Sequence, residues 1–136
     1  MAKDRPCDRV VAQGRLHKAV QFWEAAEIVR ECADDQAEVG DAYVTLAVHA
    51  GIAASDAICC LALGRHAQGD DHQVAVKLLG TVRPDGTALG TSLSALLAIK
   101  TKAGYSHRPV NAGDRGRAQR QAEKLVMAAR ERFSGG

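Results

Sequence analysis

Apolar residues recur along this chain at spacings of three and four, the period of helices that bury one face, and the breaks between these stretches are short and built from Gly, Asp and Pro. Residues 9–33 carry Val10, Leu16, Val20, Trp23, Ala26 and Val29 as an apolar stripe beside charged positions, with Asp34-Asp35 as its end. Residues 39–63 predict the longest helix; apolar periodicity runs through Gly51 and stops at Gly64, a residue suited to a left-handed C-terminal cap. A shorter helix is expected over about 71–82, with Asp70 as N-cap and Gln73 completing a capping box. After a turn at Pro84-Asp85-Gly86, residues 87–103 place Leu89, Leu93, Leu96, Leu97 and Lys100 in helical register. Residues 104–113 read as a loop. The last helix, 114–133, is charged on one face and carries Ala118, Ala122, Leu125, Val126 and Ala129 on the other.

Composition agrees with this pattern. The chain has 136 residues and only three prolines, enough for one domain over 1–136 with a single core. The expected fold class is all-α, an up-and-down bundle of four to five helices.

The 22 residues from Ala42 to Leu63 are apolar enough to raise the question of a membrane span. Asp56 near the middle costs roughly 3 kcal/mol on insertion scales, and the flanks supply little positive charge to orient a span. The expectation is therefore no membrane, and a helix buried on several sides in a bundle or at an oligomer interface.

Cys7, Cys32, Cys59 and Cys60 show no C-x-x-C spacing, so reduced thiols are expected. Residues 1–10 carry Lys3, Asp4, Arg5, Asp8 and Arg9 without an apolar core segment, so no signal peptide is expected and the chain is placed in the cytoplasm. Cys59, Cys60, His66, Asp70, Asp71 and His72 are chemically able to hold zinc but lack a standard ligand spacing, so neither a metal nor another cofactor is expected.

Charge is unevenly spread around a net of +2. Residues 31–71 hold eight acidic side chains and one basic, while 100–136 hold nine basic and three acidic. A basic last helix suits phosphate contact through counterion release. It equally suits a solvated face that pairs with the acidic segment.

The candidate chemistry lies where the long helix ends, at Gly64-Arg65-His66-Ala67-Gln68-Gly69-Asp70-Asp71-His72. Arginine grips phosphate bidentately and histidine moves protons at neutral pH, so their pairing at a helix junction suggests phosphodiester chemistry. Each also has a plain structural role open to it, Arg65 against a helix C-terminus and His72 as a solvent-facing first-turn residue.

The order of long helix, Arg65, the polar residue His66, and His72 before a short helix resembles the HEPN domain, whose motif is an Arg followed after four to six residues by His. Six residues separate Arg65 from His72. The stretch 50–79, with Lys100-Thr101-Lys102-Ala103-Gly104-Tyr105 and the charged last helix, extends the resemblance over most of the chain. The resemblance implies a HEPN-type bundle that homodimerises with two motif copies facing across a cleft. It also implies a metal-independent endoribonuclease of toxin, defence or RNA-processing type, or a non-catalytic module that binds nucleotide, RNA or a nucleotidyltransferase-type antitoxin. A third class, an interaction protein whose buried helix serves only dimerisation, is equally compatible with one sequence.

Metal-free RNA cleavage needs a base for the ribose 2′-OH, an acid for the departing 5′-oxygen and cations for the phosphate. One His72 does not readily serve as both base and acid; two copies in a symmetric dimer do. Arg65 would grip the phosphate, His66 would carry a second proton or shape the loop, and the amino end of the third helix would add partial positive charge. Asp70 and Asp71 would favour protonated His72. Asp56, with Ser55, is a candidate for orienting Arg65, although nine residues along a helix is ~13 Å; the plainer reading has Asp56 and His49 bonding other helices. Lys100, Lys102 and Tyr105 are candidates for clamping RNA and stacking a base, and Tyr105 alternatively packs at a helix end.

Overall fold

Small side chains decide where the helices meet. The computed structural model describes residues 4–69 and 72–135, and its long axis is α2 (Gly40–Leu63), entered through a 3-10 turn at Gln36–Val39. Ala47, Ala50, Gly51, Ala54 and Ala57 are all buried, so neighbouring helices approach α2 closely. At Gly51 a β-carbon would lie only 2.3 Å from Leu96 Cδ1 and 3.3 Å from Leu125 Cδ1, so glycine is what lets α4 (Gly86–Gly104) and α5 (Ala112–Ser134) seat their leucines there. Gln36–Leu63 has the length and hydropathy of a membrane span, yet 61% of its apolar window is buried inside the bundle, as a core helix requires.

The first helix, α1 (Arg9–Cys32), packs on α2 through Ala12, Ala19 and Ala26, spaced by seven and fully buried. The stripe expected from the sequence is shifted as a result. Leu16, Val20, Trp23 and Val29 flank the alanine seam half-buried, and Val10 is 74% exposed. Close approach of two backbones rewards the smallest residue, so the deepest line on α1 is made of its alanines rather than its larger apolar residues.

The helix α3 (His72–Gly80) ends two residues earlier than expected. Thr81 and Val82 turn back instead, their amides bonding the Leu78 and Leu79 carbonyls. Gly86 starts α4 so close to α3 that a β-carbon there would sit 2.8 Å from the Leu79 and Gly80 carbonyl oxygens. The expected N-cap Asp70 lies outside the described residues. The five α-helices among the described residues, with Leu93, Leu96, Ile58, Leu125 and Val48 in the core, make the protein an all-α bundle.

One element has no counterpart in the sequence reading. Residues Asp4–Pro6 (β1) pair antiparallel with Arg65–Ala67 (β2), Asp4 opposite Ala67, Arg5 opposite His66 and Pro6 opposite Arg65. The motif expected in a loop after the long helix therefore begins on a strand.

The expectation of reduced thiols is corrected for one pair. Cys7 and Cys60 form a disulfide, their Cα atoms 5.6 Å apart, while Cys32 and Cys59 are free. The pairing joins residues 53 apart in sequence, so local spacing carries no trace of it. Adjacent helical positions point about 100° apart, which sends Cys60 toward β1 and leaves Cys59 in the core.

Candidate functional site

The candidate residues fall into three groups. In the first, Gly64 adopts the left-handed conformation (φ 71°), ends α2 and turns the chain into β2. Arg65 then reaches across the ribbon to Asp4, Nη2 to Oδ1 2.5 Å. The Arg65 side chain is 48% exposed, so this pair stands in water and exchanges readily for a phosphate oxygen.

The second group is His72 and Lys100. His72 opens α3 and is half-buried; Lys100 comes from the last third of α4, and its Nζ lies 3.2 Å from His72 Nε2. The two nitrogens are within hydrogen-bond distance, with Lys100 as a donor. Lys100 also lines a cleft of about 160 Å³ with Thr45, His49 and Tyr105, and Tyr105 at its rim is 80% exposed. His49 is exposed, its ring 5.6 Å from that of Phe22, rather than bonding other helices inside the bundle as the plainer reading had it.

The third group lies beneath β2. Asp56 pairs with Arg15 of α1 at 3.0 Å and is 14% exposed, so its partner is Arg15 rather than Arg65. Burial pushes its carboxyl above the usual range against the opposing pull of Arg15 and His66. Ser55 is buried and bonds the Cys59 thiol, whose pKa burial pushes up to about 12, with Asp56 adding to the shift. Cys59 is therefore an inert core thiol. His66 Nδ1 lies 2.7 Å from the Ala67 carbonyl oxygen, which fixes the ring beside the Cys7–Cys60 sulfurs.

Lys102, a candidate for clamping RNA, belongs to none of these groups. It donates to Asp114 Oδ2 at 2.8 Å, tying α4 to the start of α5. There Asn111 and Asp114 form a reciprocal capping box: Asp114 N–H donates to Asn111 Oδ1 at 2.8 Å and Asn111 N–H to Asp114 Oδ2 at 3.0 Å. Lys102, then the Asn111 amide, hold the Asp114 carboxyl below its ordinary pKa. A depressed carboxylate stabilises the fold above its unfolded pKa, and that contribution disappears as pH falls through the lower folded value. Asp114→Ala is expected to lower stability by about 1–2 kcal/mol in urea titrations at pH 7, with a gap from wild type that narrows in acid below pH ~4.

The basic excess of 100–136 is partly spent within the bundle. Arg117 faces Asp114 and Arg130 faces Glu24, so among the described residues the ion pairs of α5 go to its own cap, to α4 and to α1. Asp70 and Asp71 lie outside the described residues. Sequence reasoning missed Asp4 and Arg15 as the partners of Arg65 and Asp56, because each is brought in from a distant element with no local signal. A separate cavity of about 220 Å³, walled by Arg30, Tyr43, Arg115 and Gln119, contains none of the candidate residues.

No family model matches this chain, and neither a curated protein nor a solved structure matches it.

Proposed function

We propose that this protein is a HEPN-type, metal-independent endoribonuclease acting as a homodimer in the cytoplasm. The observation that carries the reading is the contact between Lys100 and His72: an imidazole able to move a proton is held beside a cation able to take up phosphate charge. Arg65, in a water-exposed pair with Asp4, supplies a second cation one short strand away.

Each atom then has a destination. A phosphate oxygen draws Lys100 Nζ off His72 Nε2, which takes the ribose 2′-OH proton as the 2′-oxygen bonds to phosphorus. The bond from phosphorus to the 5′-oxygen breaks, and the protonated His72 of the second copy gives that oxygen its proton. Lys100 and Arg65 hold the negative charge that gathers on the non-bridging oxygens. The products are a 2′,3′-cyclic phosphate and a free 5′-hydroxyl. Tyr105 and His49 line the cleft beside Lys100 and offer faces on which an unpaired base stacks.

The test is chemical. An oligoribonucleotide cut by the wild type is resynthesised with deoxyribose at the scissile position, and the product ends are identified by mass spectrometry. Loss of that cut together with cyclic phosphate ends is the expected result; cleavage of the deoxy substrate, or ends lacking a cyclic phosphate, overturns the mechanism.

A further inference from the structure

We propose that Cys7, Cys60 and His66 form a zinc-binding site in the reduced protein, mutually exclusive with the Cys7–Cys60 disulfide. This inference goes beyond the ribonuclease reading and does not depend on it.

The ligand atoms already converge. The two sulfurs and a ring nitrogen of His66 all lie within 4.8 Å of one another, although they come from the N-terminal segment, the end of α2 and β2. Backbone bonds hold them there independently of the sulfur–sulfur bond. The Cys7 amide donates to the Gly64 carbonyl at 2.9 Å, and Arg5 pairs opposite His66. Two zinc–sulfur bonds of ~2.3 Å at the tetrahedral angle place sulfurs about 3.8 Å apart. Opening the disulfide frees the Cys7 and Cys60 side chains to rotate apart toward that spacing, Cys7 from the segment before α1 and Cys60 from the end of α2.

The donors suit the ion. Two thiolates and an imidazole select zinc or a softer cation over magnesium or calcium. His66 Nδ1 faces the Ala67 carbonyl at 2.7 Å and donates its proton there, so Nε2 keeps the lone pair that a metal needs. The Asp56 carboxylate, ion-paired with Arg15, is near enough to interact electrostatically with His66. Cys59, buried and bonded to Ser55, is directed away into the core. Three protein ligands leave the fourth position to water.

The exchange balances. A dithiol reductant delivers two electrons and two protons to the disulfide, leaving two thiols and becoming a disulfide itself. Zinc then displaces the two thiol protons. In reverse, a small-molecule disulfide accepts two electrons from the zinc-bound thiolates, their sulfurs rejoin, and the ion leaves.

Cobalt(II) serves as the probe. The full chain is reduced with a dithiol, freed of reductant under anaerobic conditions and titrated with cobalt(II), in parallel with oxidised protein. Expected are the near-ultraviolet sulfur-to-cobalt charge-transfer band and the strong visible bands of a tetrahedral site, saturating at one equivalent and bleached by zinc. The oxidised protein should show neither. Cys7→Ser removes the signal, and a Cys32→Ala/Cys59→Ala double variant keeps it. Because Cys7→Ser also removes a cross-link, His66→Ala is the second test. It retains the disulfide, its fold is checked in the oxidised state, and its reduced form binds cobalt at least about tenfold more weakly. A reduced wild type without these bands, or an undiminished signal in Cys7→Ser or His66→Ala, overturns the site.

Discussion

Replacing His72 with alanine is expected to abolish RNA cleavage, a fall on the order of 100- to 10,000-fold or more, the usual share of a positioned acid or base. In the proposed mechanism His72 of each copy of a symmetric dimer carries one of the two proton transfers, so a single substitution would remove base and acid together and the loss should sit at the upper end. The fold should survive. His72 is half-buried at the first position of α3, and the core beneath it is built by Leu79 and Val82. Its removal should change the unfolding midpoint little, as surface substitutions do, by about 0.5 kcal/mol or less. Lys100→Gln provides the graded comparison, keeping the base and losing the cation, and is expected to cost about 10- to 100-fold in kcat. Wild-type activity in His72→Ala with an unchanged circular dichroism spectrum would remove His72 from the mechanism.

Reduction of the Cys7–Cys60 disulfide in the presence of EDTA should lower stability by about 2–4 kcal/mol. The bridge spans 53 residues, and closing a loop of that length removes roughly 4 kcal/mol of chain entropy from the unfolded state in the simplest treatment. It sits beside the β1–β2 pairing and the Cys7 amide–Gly64 carbonyl bond, which hold the same segment through the backbone. The loss is read as a drop in the urea midpoint at unchanged slope. Cys59→Ala should leave the size of the reduction effect unchanged, since the buried Cys59 takes no part in the bridge. An identical midpoint with and without reductant contradicts the assignment of this pair.

Helix positions were legible because apolar periodicity over twenty residues is a strong signal. The structure gives α1, α2, α4 and α5 within about two residues of the sequence-derived bounds. Which face of α1 lies deepest was not legible. Hydrophobicity pointed to Ala26 correctly but also to Val10 and Leu16, whereas closest approach added Ala12 and Ala19 as the rest of the deepest line. Gly64 was legible as a cap, because a left-handed residue after an apolar run has few alternatives. The strand pair had no signal at all. Three-residue strands show no period, and β1 and β2 lie some sixty residues apart, so neither the Asp4–Arg65 pair nor the Cys7–Cys60 bridge leaves a local mark.

The candidate site was half legible for the same reason. Arg65 and His72 stood out together because they flank one helix junction. Lys100 was noticed as a basic residue near Tyr105, and its contact with His72 comes from the packing of α3 on α4. Lys102 looked equivalent, two residues away, yet helical rotation turns it toward α5 and into the Asp114 capping box.

The decisive measurement is incubation of a mixed RNA pool with the purified wild-type protein in excess EDTA, with Arg65→Ala and His72→Ala run beside it. Chelation also empties any zinc held by Cys7, Cys60 and His66, so a metal-independent nuclease must work without it. Cleavage that persists in EDTA and is lost in both variants is the predicted result. RNA left intact by a folded wild type, or cut equally by all three proteins, contradicts a ribonuclease built on Arg65 and His72.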